Sequence, residues 1–338
     1  MRKLFRYSFL LFILCLFIAP AKTWADSADF AVKKIDSPEQ IREANFYNIL
    51  VTPKTATNIN VNISNQSDQE NTYTISMYSG ITNNVGKVAY SATATSASEK
   101  QTMHYLSPET QTVSIPANSQ KDFSIPIKTP EAAEPGIILG AVHVEKHNAK
   151  TKVPKKGAQI INHYAIEIPV VVRTMPASTP QLDLQLNNVT LGLDASRKPA
   201  ILANLYNNSN WVMTPLKIDT QVYRVNRSGK KYVAHYKDLE MAPNSSFNSS
   251  VTPKEPLKPG KYHLTMTAKS GKQVWHFDKY FTINQAAIDK TTKNAINPPK
   301  KSYLYIWIII GFLLLLLIIL YLMYKLHQKN KALKQSAE

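Results

Sequence analysis

From residue 46 to residue 283, runs recur in which apolar and polar positions alternate with a period of two. The pattern is plain in 57-TNINVNIS-64, 71-NTYTISMYS-79, 121-KDFSIPIKT-129, 214-TPLKIDTQVYRV-225 and 261-KYHLTMTAKS-270. Such alternation puts one side of a strand on a core and the other in solvent. Runs of β-branched and aromatic residues add further strands at 46–53, 110–116, 137–146, 160–174, 181–192, 200–207, 231–237, 246–253 and 273–283. Asn, Ser, Gly and Pro separate the runs at short spacings, as in β-sandwiches. The only candidate helix, 36-DSPEQIREANF-46, is too short to matter. The predicted fold class is all-β: two tandem immunoglobulin-like β-sandwich domains, followed by a single C-terminal transmembrane α-helix.

The Pro-rich break 174-TMPASTP-180 divides the strands, giving domains over 29–175 and 176–284. Both contain the same order of signals. In 116-PANSQKDFSIPIKTPEAAEPGIILGAVHV-144 and 243-PNSSFNSSVTPKEPLKPGKYHLTMTA-268, Pro and Asn-Ser precede a strand. A Pro-rich connection, a Pro-Gly pair and another strand follow. Duplication and convergence on sandwich turn chemistry both account for this. The polar segment 285–302 reads as a linker holding the second domain off a membrane.

The two ends read as targeting segments. A basic start and the run 7-YSFLLFILCLFIAP-20 lead to the small-residue exit 21-AKTWAD-26, which makes 1–25 a secretory signal peptide. The run 303-YLYIWIIIGFLLLLLIILYLMY-324 is long enough to cross a hydrocarbon layer of about 30 Å. Aromatic residues flank it, and the basic tail 325–338 follows, which the positive-inside rule puts in the cytoplasm. The expected localisation is therefore the cell membrane, single-pass, with residues 26–302 outside.

Cys15, the one cysteine, lies within the first apolar run, so the mature chain has none. Export without disulfides fits a bacterial protein better than a small eukaryotic secreted domain. The formal charge of +17 suits an anionic partner or solubility alone. Nucleic acid is not an expected partner of an exported, anchored chain.

Catalytic signatures are missing: there is no GxSxG, Walker or HExxH motif and no thiol after processing. No cofactor is expected. His143 and His147, in 143-HVEKH-147, would share a helical face, but this segment reads as strand. There they stand about 13 Å apart, too far for one metal ion, and read as exposed histidines beside a hairpin loop. That loop carries Lys150, Lys152, Lys155 and Lys156, a candidate anionic-polymer contact or a plain solvated loop. Trp211 follows the turn 207-NNSN-210 and is a candidate protein-partner contact, whereas Trp275 reads as core. The turn 80-GITNNVGKVAYS-91 offers Asn83, Asn84, Gly86 and Tyr90 as a candidate glycan contact, or simply as a hairpin bend.

From Phe46 onward the chain resembles the WxL-interacting protein family of Gram-positive bacteria. The first domain carries the resemblance in 46-FYNILVTPKTATNINVNISNQSDQENTYTISMYSGITNNVGKVAYS-91. The second carries it in 162-NHYAIEIPVVVR-173, 198-KPAILANLYNNSN-210, 242-APNSSF-247, 257-LKPGKYHLTM-266 and 275-WHFDKYFTI-283. One departure is 53-PKT-55, where members often have Pro-Gly-Gln. Family alignments place the domain border near 150–158. The resemblance implies a peptidoglycan-binding first domain, a WxL-binding second domain and a membrane anchor. None of Trp24, Trp211, Trp275 and Trp307 has Leu two residues on, so the chain is not itself a WxL protein, and the resemblance implies that it is the partner of one. The implied function is a non-enzymatic surface scaffold that binds peptidoglycan and tethers WxL-domain proteins. The alternatives are a host-matrix adhesin and a wall-modifying hydrolase.

Overall fold

The computed structural model describes residues 28–93, 102–147, 163–176, 179–225, 231–296, 309–321 and 325. Among the described residues, nine strands form a first sandwich: β1 (Phe30–Ile35), β2 (Tyr47–Leu50), β3 (Ala56–Asn65), β4 (Asn71–Thr82), β5 (Val88–Ser91), β6 (Gln111–Ile115), β7 (Ser119–Lys128), β8 (Ile138–Lys146) and β9 (Tyr164–Arg173). One sheet runs β1-β3-β7 and the other β2-β9-β8-β4-β5, with β6 also paired to β4. Alternation explains the core: Ile59, Val61 and Ile63 of β3 are buried and face Tyr73, Ile75 and Met77 of β4 in one cluster. A short helix, α1 (Met103–Leu106), is capped by Thr102 and inserts Met103 and Leu106 into that cluster.

The second sandwich has β10 (Leu184–Leu193), β11 (Pro199–Asn207), β12 (Met213–Arg224), β13 (Lys231–Met241), β14 (Ser246–Val251), β15 (Gly260–Ser270) and β16 (Gln273–Ile283). Its sheets run β10-β11-β14 and β13-β12-β15-β16. The chain falls into two compact units. The first holds Met1–Gln185 with Tyr206–Leu216 and Asp238–Phe247, and the second holds Leu186–Leu205, Lys217–Lys237 and Asn248–Glu338.

Seven strands of the first sandwich match the seven of the second: β1-β3-β7 corresponds to β10-β11-β14, and β9-β8-β4-β6 to β16-β15-β12-β13, with β2 and β5 unmatched. A buried asparagine marks the same corner in each. Asn65 Nδ2 donates to the carbonyls of Gln69, Ile115 and Pro116 at 2.8, 3.0 and 3.0 Å. Asn207 Nδ2 donates to those of Trp211 and Ala242 at 2.8 and 2.9 Å. The Ser67 hydroxyl donates to Asn65 Oδ1 at 2.8 Å, and Ser209 does the same to Asn207 at 2.6 Å. The Asn118 N–H then reaches the Ser67 carbonyl and the Asn244 N–H the Ser209 carbonyl, and both asparagines have positive φ (52° and 50°). The shared sequence pattern thus coincides with a matched buried cage at matched strand ends.

One edge differs. β2 runs parallel to β9, with Tyr47 opposite Val170 and Leu50 opposite Arg173. Among the described strands, β16 has β15 as its only neighbour.

Two sequence expectations need correction. β1 lacks a clean alternation in FAVKKI and has no counterpart among the predicted strands; it forms because it pairs with β3 from Phe30↔Asn65 to Ile35↔Asn60. The predicted linker 285–302 is structured at its start. Gln285–Lys293 form a second helix, α2, whose first turn is capped by Asn284 Oδ1 accepting from the Ala287 N–H at 2.8 Å. The Ile296 N–H and the Asn294 carbonyl bond to Arg197, tying the helix end to the second unit.

Residues 309–321 are helical (α3) and lie within the apolar run 303–324, the rest of which lies outside the described residues. Among the described residues no helix is long and apolar enough to cross a membrane. The signal region 1–25 and the lysines at 150, 152, 155 and 156 also lie outside them.

Candidate binding faces

The turn after β4 is held from within. Asn83 Oδ1 accepts from the N–H groups of Val85 (3.1 Å) and Lys87 (3.0 Å), so its side chain builds the bend. Gly86 takes φ +72°, and a Cβ there would sit 2.8 Å from Leu239 Cδ2. Its carbonyl accepts from the Glu240 N–H at 2.8 Å, and Lys87 Nζ pairs with Glu240 at 3.0 Å. Buried Thr82 meets the Ser245 hydroxyl and accepts from the Ala242 N–H at 3.0 Å. Within the first unit, therefore, Gly86 and the Asn83 oxygen are committed to the fold, while Asn84 is exposed.

Tyr90 belongs to a different group. On the outward side of the sheet, Ser76 of β4 lies opposite His143 of β8, which lies opposite Glu167 of β9. The His143 ring stacks on Tyr78 at 4.0 Å with 8° between planes, and its Nδ1 lies 3.1 Å from Glu167 Oε1. His163 Nδ1 pairs with Glu145 at 2.9 Å. Burial raises the Tyr78 phenol's pKa, and the negative charges of Glu145 and Glu167 add to that. Burial likewise raises Tyr90, and Glu167 adds to it; Tyr90 lies opposite Gly80, two residues along β4 from Tyr78, on the same side of the sheet. Tyr78, Tyr90, His143, Glu145 and Glu167 thus form a patch of aromatic rings and carboxylates. Rings of this kind stack on the C–H face of a sugar, and carboxylates accept from its hydroxyls or from an amine.

His147 is exposed as predicted, but His143 is not. His143 shows only 12% side-chain exposure, because Tyr78 covers it. His147 contacts Thr74 instead, so the two have separate partners. Sequence reasoning missed the patch, since His143 and Glu167 are 24 residues apart with no local motif between them.

Trp211 is half-buried, with the Arg173 guanidinium 5.9 Å from its ring centre. Arg173 donates through Nε to Asn48 at 3.1 Å, and its buried Nη1 has no hydrogen-bond partner among the described residues. Burial lowers its pKa, and Arg42 adds like-charge repulsion. Trp275, expected in the core, is also half-buried, because it stands on the edge strand β16. In the second unit, α2 helps wall a cavity of about 430 Å³ lined by Leu191, Pro199, Leu257, Ile288 and Ile296.

Comparison with known families places these features. Residues 30–146 match the model described as "WxL Interacting Protein, peptidoglycan binding domain", and residues 155–293 match "WxL Interacting Protein, host binding domain". The chain belongs to the WxL-interacting protein family. The second description names a host where the sequence resemblance implied a WxL-domain partner. The second match begins ahead of β9, although β9 pairs with β8 in the first sandwich.

Several solved structures are similar to the chain. One is a fimbrial chaperone–tip adhesin complex of CFA/I fimbriae: 14% identity, TM-score 0.28, covering 75% of this chain and 98% of that one. Another is a PapD-like domain of human CEP192: 12% identity, TM-score 0.27, covering 48% and 95%. A third is a chaperone–tip subunit pre-assembly complex of Acinetobacter baumannii: 11% identity, TM-score 0.28, covering 66% and 90%. No curated protein matches the chain.

Proposed function

We propose that the protein is a non-enzymatic, membrane-anchored scaffold. Its first sandwich would hold peptidoglycan and its second would hold a WxL-domain protein at the cell wall. The observation that carries this reading is the pair of family domains, peptidoglycan-binding and host-binding, in one chain. The Tyr78–His143–Glu167 patch supplies the first with a face suited to sugar and stem peptide. The leader 1–25, the apolar run 303–324 and the basic tail support export and anchoring, with the ectodomain in the wall space. The non-enzymatic reading rests on the missing catalytic motifs.

The test is co-sedimentation of residues 26–302 with purified wall sacculi and capture on an immobilised WxL domain. Binding to both supports the scaffold, and binding to neither ends it. The description of residues 155–293 as a host binding domain favours a second reading, a host-matrix adhesin. Binding of that region to host matrix proteins, with none to a WxL domain, would select it.

A further inference from the structure

The repeated fold contains its own control at one edge. In the first sandwich β9 is flanked by β8 and β2, and Val170 and Val172 are buried to 0% and 1% exposure. In the second, β16 pairs with β15 along the whole of Gln273–Ile283 and has no second neighbour among the described strands. At the matching end of β16, Lys279 is exposed and Phe281 only half-buried. Val274 and Tyr280 on the same strand are 47% and 56% exposed. An open edge of eleven residues is a template for another strand.

We propose that a second copy of this chain covers this edge, β16 against β16 and antiparallel, about a two-fold axis at Phe277. Residues directly opposite in such a pair share a face, and about this axis residue numbers sum to twice 277. The stretch 274-VWHFDKY-280 is then complementary to itself. Phe277 meets the second copy's Phe277 on the axis. Trp275 meets the second copy's Lys279, an aromatic face against an ammonium. His276 meets Asp278, a ring N–H against a carboxylate. The exposed pair Val274 and Tyr280 cover one another.

Neighbouring registers lose this match. An axis at Asp278 or at Lys279 sets that charge against itself, and one at His276 sets Val274 against Asp278. The groups needed also have capacity to spare. Asp278 Oδ1 lies 2.7 Å from His263 Nε2, and His276 Nδ1 lies 3.2 Å from the Thr267 hydroxyl. That leaves a second carboxylate oxygen and a second ring nitrogen. The dimer does not depend on the scaffold reading, and either holds without the other.

Cysteine cross-linking of the full-length protein in detergent micelles tests the dimer, with the wild type as control for Cys15, the one natural cysteine. Under mild oxidation Phe277→Cys should form a disulfide dimer at least tenfold faster than Val233→Cys, a cysteine placed at an exposed position on β13. His276→Cys and Asp278→Cys should each cross-link poorly alone and well when mixed. The mixture leaves Phe277 in place, so it reports the axis even where Phe277→Cys fails to fold. Equal rates at positions 277 and 233, with no gain on mixing, would overturn the proposal. So would shielding of the 277 thiol only on adding a WxL-domain protein, because the edge would then belong to that partner.

Discussion

The two sandwiches share strand order and a buried asparagine corner, yet one has its last edge closed and the other leaves it open. In the first, β2 lays Tyr47 and Ile49 into the core beside β9, and both are fully buried. In the second, the same edge presents Trp275, Phe277, Lys279 and Phe281 along one side of β16. A charged residue among edge aromatics discourages indiscriminate pairing while leaving room for a matched strand. The difference teaches that one strand order leaves different surfaces available: an outward sheet face in one copy and a strand edge in the other. On the proposed function, the closed copy would bind through an outward sheet face, and the open copy would bind through its edge.

The largest expected effect comes from attacking the closed edge. Ile49→Asp puts a charge into the first core and should cost roughly 4 kcal/mol or more, read as lost amide protection in β3 and β8. Phe281→Asp on the open edge should cost about 1 kcal/mol by the same readout, because water already reaches that site. Equal costs would break the comparison. Next come the shared corners. Asn65→Ala and Asn207→Ala each strand buried carbonyls, and each should cost about 2 kcal/mol in urea unfolding. A large cost at one and none at the other would argue against equivalent cages.

A third, smaller effect depends on pH. Burial pushes the Tyr47 phenol up to about 12, so the folded state favours its neutral form. The stability it contributes is complete below the unfolded value of about 10 and is lost as pH rises through about 12. Thermal melts between those values should show the first sandwich weakening, and Tyr47→Phe should flatten that dependence. The smallest effect is at Asn84, and the same turn holds a larger one. Asn84→Ala, at an exposed position, should change stability by less than about 0.5 kcal/mol. Gly86→Ala, with positive φ and Leu239 in the way, should cost about 1–2 kcal/mol.

β3 and β12 were legible because they keep a period of two, and β8 and β9 because they are rich in β-branched residues. The bend at Asn83–Gly86 was legible from its turn residues. Sheet edges were not legible: β2 reads as a strand, but its parallel partner lies more than a hundred residues away, and no local pattern encodes that pairing. α2 escaped because its sequence, QAAIDKTTK, is mostly polar, and its start depends on a single capping asparagine. The Tyr78–His143–Glu167 patch escaped because three strands bring it together.

The most direct test of the central claim, that the first sandwich binds the wall through its outward patch, is to compare Tyr78→Ala with the wild type. The measurement is co-sedimentation with purified sacculi, with binding of a WxL-domain protein followed in parallel. The account predicts about a tenfold loss of wall affinity, roughly 1.4 kcal/mol, with binding of the protein partner unchanged. Undiminished wall binding by a folded Tyr78→Ala variant would contradict it.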